Sequence, residues 1–439
     1  MEYLRGLLGL TVLVGIAFAL SRDRKAISWK LVGTGILLQI IFALLVLRID
    51  AVATLFESIG NGFVRFLGFS EAGAKFLFGD LAVSYPSSAE NPPHRLGVIF
   101  AFQILPVVIF FSTITAGLYY LGVLQKVVYG IAWVMSRTMR LSGAESFAAA
   151  GNIFLGQTEA PLLVRPFIPG MTKSELFCLM VGGMANIAGS VLGAFVSFLG
   201  GDDPASRAQF AAHLLTASIM SAPAGIVMAK MLLPETEPEK IDTTLKVNKE
   251  DLGVNLIDAM AVGASDGLKL ALNIAGMLLA FIAVIAMLNY FLTDMVGEWT
   301  GLNAWVQQTT NNTFRGFSLE YILGQGFRVL AWIIGVEWKD SLQVGSLLGQ
   351  KTVINEFVAY LSLSDMQAAG TLTPRSVIIS TYALCGFANF SSIAIQIGGI
   401  TIMAPNQQHN LSRLGMLALV GGTLTTLMTA TIAGALIGR

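Results

Sequence analysis

Two glutamates lie at matching positions of two apolar segments. Residues 155–159 read Leu-Gly-Gln-Thr-Glu, and residues 348–356 read Leu-Gly-Gln-Lys-Thr-Val-Ile-Asn-Glu. An ionised carboxylate at the centre of a bilayer costs at least about 2.5 to 3.5 kcal/mol. If these segments lie in a membrane, Glu159 and Glu356 are therefore expected to face the protein interior and a ligand there. The alternative is that each only neutralises a nearby cation, for instance Arg165 or Lys351.

A second short pattern follows each glutamate. The segment from residue 183 begins Gly-Met-Ala-Asn, and the segment from residue 386 begins Gly-Phe-Ala-Asn, with small residues after both. Asn186 and Asn389 would each lie on a full membrane span, where an amide can also simply bridge helices for about 0.6 to 2 kcal/mol. Because two motifs recur in the same order, they indicate an internal repeat.

The polar residues of these motifs suit a neutral, polyhydroxylated solute. Carboxylates accept hydrogen bonds from hydroxyl groups, while Gln157, Asn389 and Ser392 can both donate and accept. An anionic ligand would call for Arg or Lys, and only Lys351 is close in the sequence. A cation remains compatible with the two glutamates.

Other function classes find little support in the composition. Lys plus Arg and Asp plus Glu balance at 27 each, unlike a nucleic-acid binder. The three histidines are far apart, and both cysteines lie in apolar stretches, which argues against a zinc site or a disulfide framework. An intramembrane transferase or hydrolase using the two glutamates as acid and base would lack a nucleophile and a phosphate-binding loop. We therefore predict that the chain is not an enzyme. The histidines and cysteines are His94, His213, His409, Cys178 and Cys385.

Composition predicts an all-α integral membrane protein. The 439 residues are 54% hydrophobic and 12% charged, and the mean hydropathy is +0.70. A crossing needs about 17 to 25 apolar residues. Eight segments meet this length: 3–20, 31–48, 96–123, 175–199, 210–233, 269–292, 376–402 and 413–437. Five others are apolar but interrupted: 49–79, 124–142, 143–170, 316–336 and 339–368.

Charge predicts the orientation. Four basic residues, Arg22, Arg24, Lys25 and Lys30, follow the first span, and only Arg5 precedes it. The positive-inside rule places the following loop in the cytoplasm, against a cleaved signal peptide. We expect a multi-pass protein of the bacterial inner membrane. Segment 124–142 is predicted as an amphipathic interfacial helix, loop 234–254 as solvated, and the acidic loop at 202–203 as outside.

The interrupted segments 143–170 and 339–368 carry Gly and polar residues at their centres. Hydrocarbon does not tolerate unpaired backbone groups at such a break, so we expect two re-entrant helical hairpins facing protein or water. The topology makes them inverted repeats, with ligands bound near the midplane. The predicted units are 1–142 (scaffold and interfacial helix), 143–235 (repeat 1), 236–336 (scaffold helix and interfacial segment) and 337–439 (repeat 2).

The chain resembles the concentrative nucleoside transporter family, in its bacterial, sodium-coupled type. The segments that carry the resemblance are GQTEAPLLVRPF (156–167), LQVGSLLGQKTVINEFVAY (342–360) and CGFANFSSIAIQIGG (385–399). The match extends from about residue 95 onward. It implies a symporter that imports nucleosides with an ion gradient. It also implies a homotrimer in which a scaffold holds a mobile transport domain, an elevator mechanism.

The resemblance also implies roles for individual residues. The nucleobase would be bound by Gln157, Thr158, Glu159 and Val191, and the ribose by Glu356, Asn389 and Ser392, with Phe387 beside it. A sodium ion would lie on carbonyl oxygens of Asn152, Leu155, Asn186 and Ile187. Members of the family can carry serine where this chain has Asn186. Proton coupling through a glutamate, and a sodium symporter for another small polar solute, remain the alternatives.

Overall fold

The computed structural model describes residues 2–82, 99–201, 203–242 and 254–437, and every regular element within these ranges is a helix. The predicted all-helical class is confirmed. Eight crossings, two re-entrant hairpins and their inverted arrangement stay predictions. Within the described residues, seven helical segments are long and apolar enough to cross a bilayer: Glu2–Ala19, Trp29–Arg48, Phe100–Tyr120, Lys173–Gly200, Pro204–Leu232, Leu256–Thr300 and Pro405–Leu436.

The N-terminal part contains five α-helices. The segment predicted as interrupted at 49–79 forms one continuous helix, although it is not among the seven apolar spans. The predicted amphipathic segment 124–142 is a helix that buries one face through Val128, Ala132 and Met135. The helices are α1 (Glu2–Ala19), α2 (Trp29–Arg48), α3 (Asp50–Phe78), α4 (Leu105–Tyr120) and α5 (Val123–Met139), with a 3₁₀ turn at Gly79–Ala82 and a π-helical turn at Phe100–Ile104.

The next series of helices begins with a buried, capped N-terminus at Ser142. The Ser142 hydroxyl accepts the Glu145 N–H, and the Glu145 carboxylate accepts the Ser142 N–H, which satisfies two donors at the helix start. The series consists of α6 (Gly143–Gly151), α7 (Ala160–Leu163), α8 (Lys173–Ala185), α9 (Gly189–Gly200) and α10 (Pro204–Leu232), with a 3₁₀ turn at Ile168–Gly170.

The middle part contains a long helix that packs against α4. It consists of α11 (Leu256–Asn289), α12 (Glu298–Thr300), α13 (Leu302–Thr309) and α14 (Leu319–Ile333), with a 3₁₀ turn at Pro238–Lys240 and a π-helical turn at Tyr290–Gly297. Four predictions fall partly or wholly outside the described residues: the solvated loop over 243–253, Asp202 of the acidic loop, His94, and the start of the span 96–123.

The last series repeats the order of elements seen in α6–α10. The seventh predicted crossing, 376–402, is divided between two short helices by an irregular segment at 385–389. The series consists of α15 (Ser341–Val353), α16 (Glu356–Ala368), α17 (Pro374–Leu384), α18 (Phe390–Met403) and α19 (Gln408–Leu436), with a 3₁₀ turn at Pro405–Gln407.

The packing of the two series is similar. Helix α8 contacts α6 and α10, and α17 contacts α15 and α19. Helices α1 and α2 pack against α10 and α19. The breaks between α6 and α7, α8 and α9, α15 and α16, and α17 and α18 thus lie within one contiguous core.

Candidate functional site at the helix breaks

A cavity of about 710 Å³ lies at the four helix breaks. Both series contribute side chains to its wall, and residues of α4 and α11 also line it. All eight residues predicted to bind substrate line it: Gln157, Thr158, Glu159, Val191, Glu356, Phe387, Asn389 and Ser392.

The break between α6 and α7 is stabilised by its own glutamate. The Glu159 carboxylate accepts the N–H of Gly156 at 2.9 Å, so the chain turns back on itself over residues 156–159. Pro161 lies in the first turn of α7, where its missing N–H has no cost. As a result, Thr158 is exposed towards the cavity and Glu159 is only partly buried.

The break between α15 and α16 is shorter. Only Ile354 and Asn355 separate the two helices, and the Asn355 side-chain oxygen accepts the N–H of Val358 at 3.0 Å as a helix cap. Glu356 therefore begins α16 with its side chain 3% exposed, at the cavity wall.

Asn389 connects the α17–α18 break to this tip. Its side-chain oxygen caps α18 by accepting the N–H of Ser392 at 2.9 Å. Its amide donates to the Glu356 carboxylate at 2.9 Å. The Glu356 carboxylate, to which the resemblance assigns the ribose, thus has the neutral Asn389 amide as a fixed partner.

Gln157 is held from both ends by α18. Its amide donates to the Ser392 hydroxyl at 3.0 Å, and its oxygen accepts from the Gln396 amide at 3.2 Å. Gln396 also donates to the Met180 carbonyl at 3.1 Å. The motif glycine Gly183 makes room for this arrangement, because a Cβ there would lie 2.6 Å from Gln396 Nε2.

Gln396 was missed by sequence reasoning. It is 1% exposed on α18, whose other polar residues are two serines and a threonine, and a long amide side chain in a predicted span is the signal that could have identified it. Asn355 directly precedes Glu356 in the motif, but the sequence analysis assigned it no role. It lines the cavity, and within the described residues its side-chain nitrogen is buried with no hydrogen-bond partner.

The wall opposite the breaks also contains polar residues that the sequence reading did not single out. Asp266, Lys269 and Asn273 of α11 line the cavity at helical spacing, and Lys269 pairs with Asp266 at 3.1 Å. Three polar residues recurring on one face of a long apolar span were the available signal.

The four residues predicted to hold sodium lie on two adjacent irregular segments. Asn152 ends α6, Asn186 ends α8, and the N–H of Gly189 donates to the Phe154 carbonyl at 3.0 Å across the gap. Leu155 also reaches the cavity wall. Ile187, like the two asparagines, is buried behind it.

The environments of the two asparagines differ. The Asn186 side-chain oxygen accepts from the Ser221 hydroxyl, and its carbonyl accepts the N–H of Phe387 at 3.3 Å. Asn152 is 1% exposed, and neither of its side-chain polar atoms has a hydrogen-bond partner within the described residues.

The two repeated asparagines do not occupy equivalent positions. Asn186 follows the last residue of α8, whereas Asn389 precedes the first residue of α18. The irregular segment is 186–188 in one series and 385–389 in the other. The shared G-x-A-N pattern therefore falls at a different point of each break, because the break in the last series is longer. Gly183 and Gly386, which begin the two patterns, both allow close packing.

Lys351 does not neutralise Glu356 by direct contact. Its ammonium donates to the Ala383 carbonyl at 2.8 Å and to the Thr426 hydroxyl at 2.9 Å. The proposed alternative role of Glu356 as a simple partner of Lys351 is thus not supported by the geometry.

Long apolar helices surrounding a buried cavity rich in amides and carboxylates are the architecture of a membrane transport protein. Three family models match this chain: Na+ dependent nucleoside transporter N-terminus (residues 8–81), Nucleoside recognition (101–202) and Na+ dependent nucleoside transporter C-terminus (213–434). The chain belongs to the Na+-dependent nucleoside transporter family.

Individual relatives agree. An uncharacterized transporter of Haemophilus influenzae is 40% identical over 100% of this chain and 99% of its own length. Sodium/nucleoside cotransporter 1 of Mus musculus is 38% identical over 99% of this chain, which spans 64% of that relative. The solved structure of CNTnw in an inward-facing substrate-bound state has a TM-score of 0.87 at 39% identity, covering 99% of this chain and 98% of that one.

Proposed function

We propose that this protein is a symporter that imports nucleosides across the bacterial inner membrane, driven by a sodium gradient. The observation that carries the proposal is that eight polar and apolar side chains from both series line one cavity. The cavity volume of about 710 Å³ lies in the range of small-molecule binding sites and is large enough to hold one nucleoside.

The base would bind at the α6–α7 break. Gln157 uses one N–H and one lone pair within the protein, so its second N–H and second lone pair remain for a base edge. Thr158 adds a hydroxyl and Glu159 a carboxylate on the same turn. Val191, in the first turn of α9, supplies an apolar contact for the face of the ring.

The ribose would bind at the α15–α16 break. Glu356 keeps acceptor capacity beyond its bond from Asn389 and can accept from sugar hydroxyls. The unpartnered Asn355 nitrogen supplies a donor, and Ser392 supplies a hydroxyl. Phe387 gives the sugar an apolar wall.

Sodium would bind between the first break and the α8–α9 break, on oxygens of Asn152, Leu155, Asn186 and Ile187. The unpaired, buried Asn152 side chain supports this position, because a buried polar group without a partner is otherwise costly. Hard cations prefer oxygen ligands, and the helix ends at Asn152 and Asn186 point their negative dipole ends here.

We further propose that the chain works as a homotrimer with an elevator mechanism, divided at the predicted boundaries 1–142, 143–235, 236–336 and 337–439. The long helix α11 exposes apolar residues such as Leu272 and Leu279, which suit lipid or a second copy. Its pairing with α4 would form the static wall against which the substrate-bearing core moves.

Uptake of radiolabelled uridine into proteoliposomes tests the proposal. We expect saturable uptake with an inward sodium gradient and little uptake with a proton gradient alone. Uptake under the proton gradient alone would favour the proton-coupled alternative. Competition by unlabelled sugars or amino acids, but not by nucleosides, would favour another solute. No saturable uptake under either gradient would refute the proposal.

The same assay addresses the ion site with one variant. Asn152→Leu should raise the sodium concentration for half-maximal uptake by about tenfold or more, since it removes an oxygen from the site. Asn61→Leu, on the exposed face of α3, is the matched control and should behave as the wild type.

A further inference from the structure

Two lysines among the described residues are almost fully buried, and their surroundings differ. Lys230 forms an ion pair with Glu145, lies 3.8 Å from Glu235, and donates to the Ser174 hydroxyl at 3.0 Å. Lys351 is 2% exposed and, within the described residues, forms no ion pair with a carboxylate. Only neutral oxygens accept from it.

One of the two oxygens that accept from Lys351 belongs to a helix end. Ala383 lies in the last turn of α17, so its carbonyl would accept the N–H of Phe387 only if the helix continued. That N–H donates instead to the Asn186 carbonyl of the other break, at 3.3 Å. The Ala383 carbonyl is thereby left for the lysine, and the negative end of the α17 dipole favours a cation there.

The third element at this position is α19. Thr426 accepts from Lys351 at 2.9 Å, and α17 can come this close because Gly386 has no side chain: a Cβ there would lie 2.8 Å from the Thr426 methyl carbon. A helix-end carbonyl and a threonine hydroxyl are oxygens of the kind that bind an alkali cation.

The same three elements meet in the first series at the position proposed for sodium. Asn152 lies at the end of α6, Asn186 at the end of α8, and Ser221 on α10 donates to Asn186. Lys351 lies near the end of α15, Ala383 near the end of α17, and Thr426 on α19. Where the first series has an unpaired amide, the last series has an ammonium.

We propose that the Lys351 ammonium is a tethered cation that fills the last series' counterpart of the ion site. The chain would then take up one sodium ion per nucleoside, because the second position carries its own charge. This inference rests on the proposed sodium site in the first series. Lys351 and Glu356 lie on either side of the short α15–α16 break, so the tethered charge would also support the carboxylate proposed to bind the ribose.

The proposal predicts that a shorter side chain with an oxygen would convert this position into a second sodium site. The test measures the affinity of purified protein for uridine by calorimetry over a range of sodium concentrations, with choline chloride holding the ionic strength constant. The slope of log Kd against log sodium concentration counts the ions bound with uridine. For a tenfold drop in sodium, Kd should rise about tenfold in the wild type and about a hundredfold in Lys351→Asn.

Two further variants separate the effects of charge and oxygen. Lys351→Met removes the charge but adds no oxygen, so its slope should stay at about one and its uridine affinity should fall. Lys339→Asn, at an exposed lysine of the same series, should leave both the slope and the affinity unchanged.

Specific results would overturn the inference. A slope of one in a folded Lys351→Asn protein that still binds uridine would do so, as would full uridine affinity in Lys351→Met. If Lys351→Asn is not recovered folded, Lys351→Thr takes its place. The slope measured for the wild type is an independent test. A slope of two would mean that two sodium ions bind with uridine, which contradicts a second position already filled by Lys351. Absence of any sodium dependence in the wild type would instead refute the proposed function.

Discussion

The tips of the two hairpin-like pairs are held by different forces. The α6–α7 tip is clamped by hydrogen bonds from α18, through Ser392 and Gln396 to Gln157. The start of α16, at the other tip, packs on a ring from α9: Phe195 stacks on Tyr360 at 4.3 Å and meets Phe357 edge-on at 4.9 Å. The hydrogen bonds between α16 and α9 lie farther from the tip, from Ser364 and Gln367 to the Phe198 and Leu199 carbonyls. Helix α18 belongs to the last series and holds the tip of the first, whereas α9 belongs to the first series and holds the tip of the last.

The difference has a physical meaning. Hydrogen bonds fix the position and direction of individual atoms, whereas ring packing fixes a helix and tolerates small shifts. The first tip is therefore set up to present particular donor and acceptor atoms. The second is set up to hold a helix start in place, and Glu356 is the exception there, because it is bonded to Asn389 at 2.9 Å and presents a carboxylate at the cavity wall.

The largest effect is expected at that exception. In Glu356→Gln the amide can still accept from Asn389, but its NH₂ then faces the sugar hydroxyls that the carboxylate would have accepted. Loss of hydrogen bonds to a charged group costs about 1.5 to 3 kcal/mol, so the Kd for uridine should rise about 10- to 150-fold. Calorimetry at saturating sodium measures this.

The control for charge alone lies on the same helix. Asp365→Asn, at an exposed position of α16, should leave the Kd unchanged. Unchanged uridine affinity in Glu356→Gln would contradict the ribose role of Glu356. The second tip would then serve only to hold the helix start.

A smaller effect is expected for the polar clamp. Gln396→Met removes the donor to Gln157 and to the Met180 carbonyl, which frees the Gln157 side chain to turn. Uridine Kd should rise about fivefold, equivalent to about 1 kcal/mol. Gln343→Met also removes a hydrogen bond from a buried amide, to the Thr371 hydroxyl, and should destabilise the protein without affecting affinity. Equal affinity losses in the two variants would show that the clamp does not position Gln157.

The smallest effect on binding is expected at the aromatic contact. Phe195→Leu loses ring interactions with Tyr360 and Phe357 that are worth about 0.5 to 1.5 kcal/mol. Thermal unfolding in detergent should occur at a lower temperature, while uridine Kd changes by less than about twofold. A large loss of affinity here would mean that ring packing also positions binding atoms, and the contrast between the tips would fail.

Much of this could be predicted from the sequence. Apolar runs determine where helices form in lipid, and Gly, Pro and Asn in the middle of such runs determine where helices must break. The paired motifs around Glu159 and Glu356 thus predicted the two hairpin breaks, whereas Asn186 and Asn389 were placed on full spans that the structure interrupts. All eight residues that the resemblance assigned to the substrate line the cavity. The family resemblance supplied their roles, and the family itself is confirmed by the matching models.

The tertiary structure alone decided which atoms meet. The sequence equated Asn186 with Asn389, but a longer break in the last series puts one at a helix end and the other at a helix start. Gln396 appeared to be one amide on an apolar helix until packing placed it against Gln157. Lys351 was the alternative partner for Glu356, but its ammonium donates to the Ala383 carbonyl and the Thr426 hydroxyl. Local chemistry specifies that a helix breaks and which groups it exposes, but their partners come from segments tens or hundreds of residues away, brought together only by packing.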